Sequence, residues 1–351
     1  MYSLKQKRSK KRILIIGSVF VFTVATITAG WMVRKNYYDN LRPYSTETKT
    51  TIVTIKSGST ADEVALLLQQ KKIIRKDWAF TWFVRTKNLR DKLQAGSYAF
   101  SPSMSVNEIV NMIVNGKVAT NLFTILPAQR IDQIEEAFAK EFVATGSTVA
   151  EVEAAFKAGN YSSHPALTDK PKAASLEGYL YPESFQRTSS TSPSEIINAS
   201  LDEMALALTP EIRAGISRQG LTVHEGVILA SIVEKEVSNS NDRAKAAQVF
   251  LLRLKKGMLL GSDVTAYYGA DIAGLKHSVL TDTPYNTRLH AGLPPGPISN
   301  VSKSSLEAIA NPSGTDYLYF VAGDDGITYF SHTIQEHEAL TAQHCKQLCA
   351  E

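Results

Sequence analysis

The sequence predicts an α+β protein with three parts: an N-terminal membrane-spanning helix, a small α+β module and a larger, helix-rich mixed α+β domain. Three observations support this prediction. Residues 13–33 carry no charge, strand–turn–helix patterns recur from residue 51, and helical patterns dominate after about residue 145. At 351 residues the chain exceeds the usual size of one domain, so we expect two folded domains beside the spanning helix.

The uncharged residues 13–33 are long enough, at about 1.5 Å per residue, to cross a hydrocarbon layer of roughly 30 Å. Six Lys or Arg precede this stretch and two follow it, which predicts that residues 1–12 form a cytoplasmic tail. We therefore expect a single-pass protein of the plasma membrane whose remaining residues lie outside the cytoplasm. A cleaved signal peptide is the alternative, but no A-x-A site follows the stretch. The polar residues 34–50 are expected to form a stalk.

The positive charge of the chain is concentrated at its N-terminus. Residues 1–35 hold eight of the 38 Lys and Arg and no acid, so the remaining 30 bases are opposed by 34 acids. We find no basic run interleaved with aromatic residues in that remainder, and we therefore expect no nucleic-acid partner.

The module is predicted over residues 51–120. A β-rich run at 51–55 leads into an apolar helix that Thr60 and Glu63 would cap, and a second run at 96–100 leads into a helix opened by Ser105 and Glu108. A third such unit, residues 122–142, begins the domain at 121–345. There we expect helices over residues 148–158, 193–216, 223–237 and 242–256, and a hairpin around the turn at 323–326.

Glu234 is the candidate catalytic residue, because six apolar residues interrupted only by Ser231 run directly into it. A carboxyl held against apolar side chains has a raised pKa and can donate a proton, as the cleavage of a glycosidic bond requires. Glu236 lies about 200° around the helix and should face elsewhere. Taken alone, such a helix is also typical of a protein core.

We expect no metal and no cofactor. His332 and His337 are five residues apart and so point to different sides of a helix. Cys345 and Cys349, the two cysteines of the chain, lack zinc-type partners; outside the cytoplasm they could pair, but free terminal thiols are the expectation.

Several segments, in this order, make the sequence similar to the family of membrane-anchored endolytic murein transglycosylases, the YceG-like proteins. These segments are residues 176–182, 230–236, 253–254 with 257–258, 262–263, 285–287, 292–298 and 319–321. The resemblance covers the predicted anchor and nearly all residues after about 50. It implies a LysM-like, glycan-binding module at 51–120, a transglycosylase domain at 121–345 and catalysis by Glu234.

The resemblance further implies cleavage within peptidoglycan glycan strands that leaves 1,6-anhydro-N-acetylmuramoyl ends and limits strand length, with peptidoglycan synthases as candidate partners. Polar and aromatic residues of the same segments are the expected sugar contacts: Glu177, Tyr181, Ser262, Asp263, Tyr268, Tyr285, Asn286, Thr287, Leu293 and Pro294. Three positions depart from the family pattern, namely Leu252, Val264 and Arg288. A hydrolase that adds water and a non-catalytic wall-binding scaffold remain alternatives.

Overall fold

The computed structural model describes residues 26, 28–188, 190–237 and 239–347. Most of the predicted spanning segment, residues 13–25 and 27, lies outside this set. Within the described residues, no helix is both long and apolar enough to cross a membrane. Residues 28–40 are helical. The chain divides into two compact units, Met1–Leu122 and Phe123–Glu351, so the division falls two residues from the expected boundary at 120.

The first unit is built on a two-stranded antiparallel sheet covered by three helices. Its elements are β1 (Thr51–Ile55), α1 (Ala61–Gln70), α2 (Asp77–Thr86), a 3₁₀ turn (Arg90–Lys92), β2 (Gly96–Phe100) and α3 (Val106–Val114). Strand β1 pairs with β2 from Thr51 opposite Phe100 to Ile55 opposite Gly96. The expected capping boxes of Thr60 with Glu63 and of Ser105 with Glu108 are both present. Helix α2 was not predicted from the sequence.

Residues 41–47 do not form the free stalk that the sequence predicted. The amide of Val106 donates to the Leu41 carbonyl at 3.1 Å, and the amide of Ser45 donates to the Pro102 carbonyl at 3.1 Å. The Arg75 guanidinium binds the Pro43 carbonyl at 2.8 Å, and the Ser101 hydroxyl binds the Glu47 carbonyl at 2.8 Å. We call residues 41–47 the strap, since these bonds fasten them to the module.

The second unit is helix-rich and carries two small sheets. Its elements are β3 (Leu122–Thr124), α4 (Ile131–Val143), α5 (Val149–Ala155), β4 (Ser184–Gln186), α6 (Pro193–Ala207), α7 (Pro210–Arg218), α8 (Val223–Glu236), α9 (Ser240–Lys255), α10 (Asp263–Ile272), α11 (Lys303–Ala310), β5 (Tyr319–Ala322), β6 (Thr328–Ser331) and α12 (Ile334–His344). Strand β3 pairs with β4, and β5 pairs with β6 antiparallel, from Tyr319 opposite Ser331 to Ala322 opposite Thr328. The mixed helix-rich α+β class is therefore confirmed.

The core of this unit surrounds α8. Eleven of its fourteen residues are buried, from Val223 through Glu234 with Glu225 excepted, so α8 is enclosed on nearly every side. Thr222 caps the helix by accepting from the amide of Glu225, whose carboxylate binds the Thr222 amide in return. This central, fixed helix positions the two carboxylates at its C-terminal end.

Near the C-terminus, Cys345 is buried and disulfide-bonded. The expectation of free thiols is therefore wrong for Cys345. Cys349, the other cysteine of the sequence, lies outside the described residues.

Candidate active site

A cavity of about 360 Å³ opens beside the C-terminal end of α8. The C-terminal hairpin, α9, α12 and the turn before α10 form its walls. The residues around it are Glu236, Phe250, Arg253, Leu260, Gly261, Ser262, Asp263, Arg288, Phe320, Val321, Ala322, His337, Thr341 and Cys345. The cavity thus combines two carboxyls, those of Glu236 and Asp263, with cationic, hydroxyl and aromatic groups, which is the composition of a site for a polar ligand.

Glu236 is a carboxyl of this cavity whose pKa lies above its ordinary value. Burial raises the pKa of its carboxyl and the neighbouring Asp263 carboxylate raises it further, while the Ser262 hydrogen bond and the charges of Arg253 and Arg288 lower that pKa. The Ser262 hydroxyl donates to Glu236 Oε1 at 2.6 Å. A carboxyl with a raised pKa at the wall of a cavity is suited to general acid–base catalysis. Glu236 and Glu234 therefore lie on different sides of α8, as their offset of about 200° predicts, and the side of Glu236 is the one that meets the cavity.

The geometry around Ser262 fixes the Glu236 carboxyl. Ser262 precedes α10 but makes no side-chain cap there, so its hydroxyl is available to Glu236. Its amide donates to the Thr287 hydroxyl at 3.2 Å, and its carbonyl accepts from the Thr265 hydroxyl at 2.6 Å. The hydroxyls of Thr265 and Thr287 lie 2.8 Å apart. This closed network holds Ser262 in one orientation, which favours precise placement of the acid.

Cationic and aromatic groups complete the cavity wall. Arg253 lies over the Tyr319 ring, 5.0 Å from its centroid, and its guanidinium donates to the carbonyls of Leu318 and Leu260. The His337 ring stacks on the Tyr319 ring, and the two ring centroids lie 5.5 Å apart. Burial and the charge of Arg253 lower the pKa of His337, so its imidazole is neutral at neutral pH. Arg288 is paired with Asp263 at the cavity edge.

Glu234 lies in a different environment from the one the sequence predicted. Its side chain is 3% exposed and forms an ion pair with Arg243 of α9, whose Nη2 lies 3.0 Å from Glu234 Oε1. Glu234 Oε2 accepts from the Ser302 amide at 2.9 Å, the Ser302 hydroxyl at 2.6 Å and the Ser305 hydroxyl at 2.7 Å. The carboxylate thus caps the N-terminus of α11 and is surrounded by donors of the protein itself, and Glu234 is not among the residues around the Glu236 cavity.

The structure brings two of the predicted sugar-binding residues, Ser262 and Asp263, to the cavity. Asn286 and Thr287 are buried and hydrogen-bonded within the protein: the Asn286 amide donates to the carbonyls of Val279 and Thr281 at 2.9 and 2.8 Å. Their expected role as sugar contacts is therefore not supported by this geometry. The other predicted contacts lie elsewhere in the unit: Glu177, Tyr181, Tyr268, Tyr285, Leu293 and Pro294. Among the three departures from the family pattern, Arg288 lines the cavity.

Glu177 forms a second buried carboxyl cluster. Its Oε2 accepts from the Ile131 amide and from the Tyr268 hydroxyl, both at 3.1 Å. Burial raises the pKa of Glu177 to about 7, against the lowering effect of those hydrogen bonds. The Tyr268 ring in turn packs 4.8 Å from that of Tyr285. This cluster ties the segment after Leu176 to the start of α4 and to α10.

Sequence reasoning missed Glu236, Arg253, His337 and the aromatic residues Phe250 and Phe320. Two of them could have been predicted from the sequence, since Glu236 and Arg253 both belong to segments that carry the family resemblance. His337 and the two aromatic residues become neighbours of Glu236 only through folding, as their positions along the chain range from 250 to 337.

A protonatable carboxyl held by a fixed hydroxyl, in a cavity with cationic and aromatic walls, is an arrangement suited to an enzyme of the general acid–base class. The comparisons with known proteins agree with that class. Residues 53–343 match the model of the YceG-like family, and the chain belongs to this family.

Relatives from Bacillus and Streptococcus carry the name endolytic murein transglycosylase. That of Bacillus subtilis is 31% identical over 85% of this chain and 86% of its own length. That of Streptococcus pneumoniae serotype 2 is 28% identical over 93% of this chain, which spans 64% of the relative. A crystal structure of a YceG-like protein from Listeria monocytogenes is 32% identical and superposes with a TM-score of 0.54, covering 84% of this chain and 99% of that one.

Proposed function

We propose that this protein is an endolytic lytic transglycosylase that cleaves peptidoglycan glycan strands, with Glu236 as its general acid and base. The observation that carries the proposal is the position of Glu236, whose carboxyl has a raised pKa and lines a cavity beside Ser262. The family and the names of its relatives supply the substrate class. Glu234, the residue that the sequence predicted, is the competing candidate for the acid.

The reaction needs one carboxyl that acts twice. Glu236 gives its proton to the glycosidic oxygen between N-acetylmuramic acid and N-acetylglucosamine as the bond from the muramoyl C1 to that oxygen breaks. The muramoyl 6-hydroxyl oxygen then bonds to C1, and its proton goes to the Glu236 carboxylate. The products are a free N-acetylglucosamine 4-hydroxyl and a 1,6-anhydro end; no water is consumed and the acid is restored.

The environment of the second carboxyl in the cavity favours this reaction over hydrolysis. A glycosidase that adds water requires a second carboxylate as nucleophile or base. Asp263 is the other acid around the cavity, and its carboxylate is paired with the Arg288 guanidinium. Since Asp263 is ion-paired and the pKa of Glu236 is raised, Glu236 is the carboxyl that we assign to proton exchange with a bound sugar.

The mass of the products tests this mechanism. Uncrosslinked glycan strands treated with the protein should yield fragments whose muramoyl ends are lighter by one water, about 18 Da, than hydrolysed reducing ends. Mass spectrometry of the fragments, with and without prior borohydride reduction, distinguishes the two, because an anhydro end resists reduction. Reducing ends alone would identify a hydrolase, whereas uncut strands would support a binding scaffold.

The anchor, the module and the location of the protein belong to the same proposal. The charge asymmetry around residues 13–33 supports a single-pass protein of the plasma membrane whose catalytic unit lies outside the cytoplasm. The module at 51–120 would act as a LysM-like glycan-binding unit, with cleavage in nascent strands terminating their elongation. Peptidoglycan synthases are the proposed protein partners.

Labelling of single cysteines in intact cells tests the orientation. In a version with the native cysteines replaced by serine, Cys at position 46 should react with an impermeant maleimide and Cys at position 9 should not. Thr46 is exposed in the structure, so its substitution leaves the strap intact. Permeabilised cells provide the control, since both positions should then be labelled. Labelling of position 9 alone in intact cells would reverse the orientation.

A further inference from the structure

We propose that one face of the module, formed by Trp78, Trp82, Arg85 and Arg90, rests on the anionic phospholipid surface from which the chain emerges. We call these four residues the Trp–Arg face. The proposal depends on the membrane anchor proposed above, and the test below separates the two.

The orientation of the module relative to the helical residues 28–40 is fixed. The four hydrogen bonds of the strap connect residues 41–47 to the turn before α2 and to the region between β2 and α3. The helical residues 28–40 run directly into the strap, and Leu41 packs against the core of the module. The helix that leaves the membrane and the module therefore hold a fixed relation to each other.

Helix α2 lies beside the helical residues 28–40, at the depth of the lipid headgroups. The ring centroid of Tyr37 lies 6.2 Å from that of Trp78. Tyr37 follows the end of the predicted span at residue 33 by four residues, which is about 6 Å along a helix. The polar layer on each side of the hydrocarbon core is roughly 5–7 Å thick. Trp78 therefore lies at the level that aromatic residues of membrane proteins prefer.

The side chains of the Trp–Arg face are exposed and adjacent. Trp78 and Trp82 are 45% and 51% exposed and lie one helical turn apart on α2. With Arg85 and Arg90 they surround one shallow cavity of about 330 Å³, together with Thr81, Asp62 and Asp77. Two neighbouring exposed tryptophans beside guanidinium groups match the apolar-to-polar boundary of a bilayer, where indole rings and cations both find partners.

The charge around this face complements an anionic surface. Residues 70–92 contain eight Lys or Arg and two Asp, which gives a net charge of +6. This basic run encloses both tryptophans, so the expectation that the chain lacks a basic run interleaved with aromatic residues is wrong for residues 70–92. Basic residues beside a membrane span are attracted to acidic phospholipids over distances of about a Debye length. The fixed position next to the anchor favours lipid over glycan as the ligand of this face.

Tryptophan fluorescence can test the proposal, because the chain has three tryptophans, Trp31, Trp78 and Trp82. The full-length protein is reconstituted in vesicles that contain phosphatidylglycerol and phosphatidylcholine brominated at acyl carbons 6 and 7. In the Trp31→Phe variant the emission comes from the Trp–Arg face, and we expect quenching by the brominated lipid. In the Trp78→Phe/Trp82→Phe variant the emission comes from Trp31 and reports the anchor, which should be quenched as well.

The two variants separate the docking of the face from the anchor. Quenching of Trp31 without quenching of Trp78 and Trp82 would overturn the docking proposal and leave the anchor in place. The absence of quenching in both would overturn the anchor and the docking together. Quenching of the Trp–Arg face alone would support docking without the anchor.

Removing charge from the face or from the lipid gives a further test in the same fluorescence experiment. Adding Arg85→Gln and Arg90→Gln to the Trp31→Phe variant should weaken docking about 30-fold, and replacing phosphatidylglycerol with phosphatidylcholine should weaken it further, since that change removes the attraction of the whole basic run. The substitution Lys117→Gln, outside residues 70–92, is the matched control and should have little effect. Emission that responds to uncrosslinked glycan strands and not to brominated lipid would identify a sugar-binding face and overturn the lipid proposal.

Discussion

Replacing Glu236 with glutamine is expected to slow glycan-strand cleavage at least 10²–10⁴-fold, the usual contribution of general acid–base catalysis. The amide preserves the shape of the side chain and can still accept from the Ser262 hydroxyl, so the cavity should keep its geometry. It cannot give up a proton to a leaving oxygen. The rate of anhydro-end formation from uncrosslinked strands, measured by mass spectrometry, reports the loss, and sedimentation with purified sacculi reports substrate binding.

Asp263→Asn is the matched control for this prediction, because Asp263 lines the same cavity but is paired with Arg288. Its effect on cleavage should be far smaller. Activity should also fall as the pH rises through the raised pKa of Glu236, since the protonated acid is required. Ser262→Ala removes a hydrogen bond that lowers this pKa, so the alkaline limb of the pH profile should move to higher pH. Wild-type cleavage by Glu236→Gln would refute the assignment.

Local signals in the sequence predicted much of the fold. The turn at 323–326 does join two antiparallel strands, β5 and β6, and both predicted capping boxes begin helices. Such features depend on residues close together in the chain. The single helix expected at 193–216 is instead two, α6 and α7. Proline at position 210 cannot continue a helix from the preceding turn, and Thr209 caps the new one by accepting from the Ile212 amide at 3.2 Å.

The site was harder to predict, because it depends on what α8 packs against. The apolar run did indicate that Glu234 is buried, but it could not show whether a cavity or other parts of the protein would surround the carboxylate. Its partners lie nine, 68 and 71 residues further along the chain, at Arg243, Ser302 and Ser305. A helix enclosed on nearly every side has no single apolar face from which the cavity could be inferred.

Replacing Glu234 with glutamine should destabilise the second unit by about 3–5 kcal/mol. The change leaves the Arg243 guanidinium buried without its counter-ion, and it turns an amide NH₂ toward the donors of Ser302 and Ser305. For a unit of this size, a loss of that magnitude corresponds to a fall in unfolding temperature of about 6–20 °C. Calorimetry of the full chain in detergent resolves the transition of the second unit.

The control for Glu234→Gln is Glu307→Gln, on the helix that Glu234 caps. Glu307 pairs with Lys303 at 3.6 Å, but the two side chains are 52% and 40% exposed, so its loss should cost no more than about 0.5 kcal/mol. A double variant with Glu234→Gln and Arg243→Met should be more stable than Glu234→Gln alone, since the buried charge is then removed with its partner. Should Glu234→Gln instead keep its full stability and lose all cleavage while Glu236→Gln remains active, Glu234 would be the catalytic acid and its contacts with Arg243 and α11 would serve to position it.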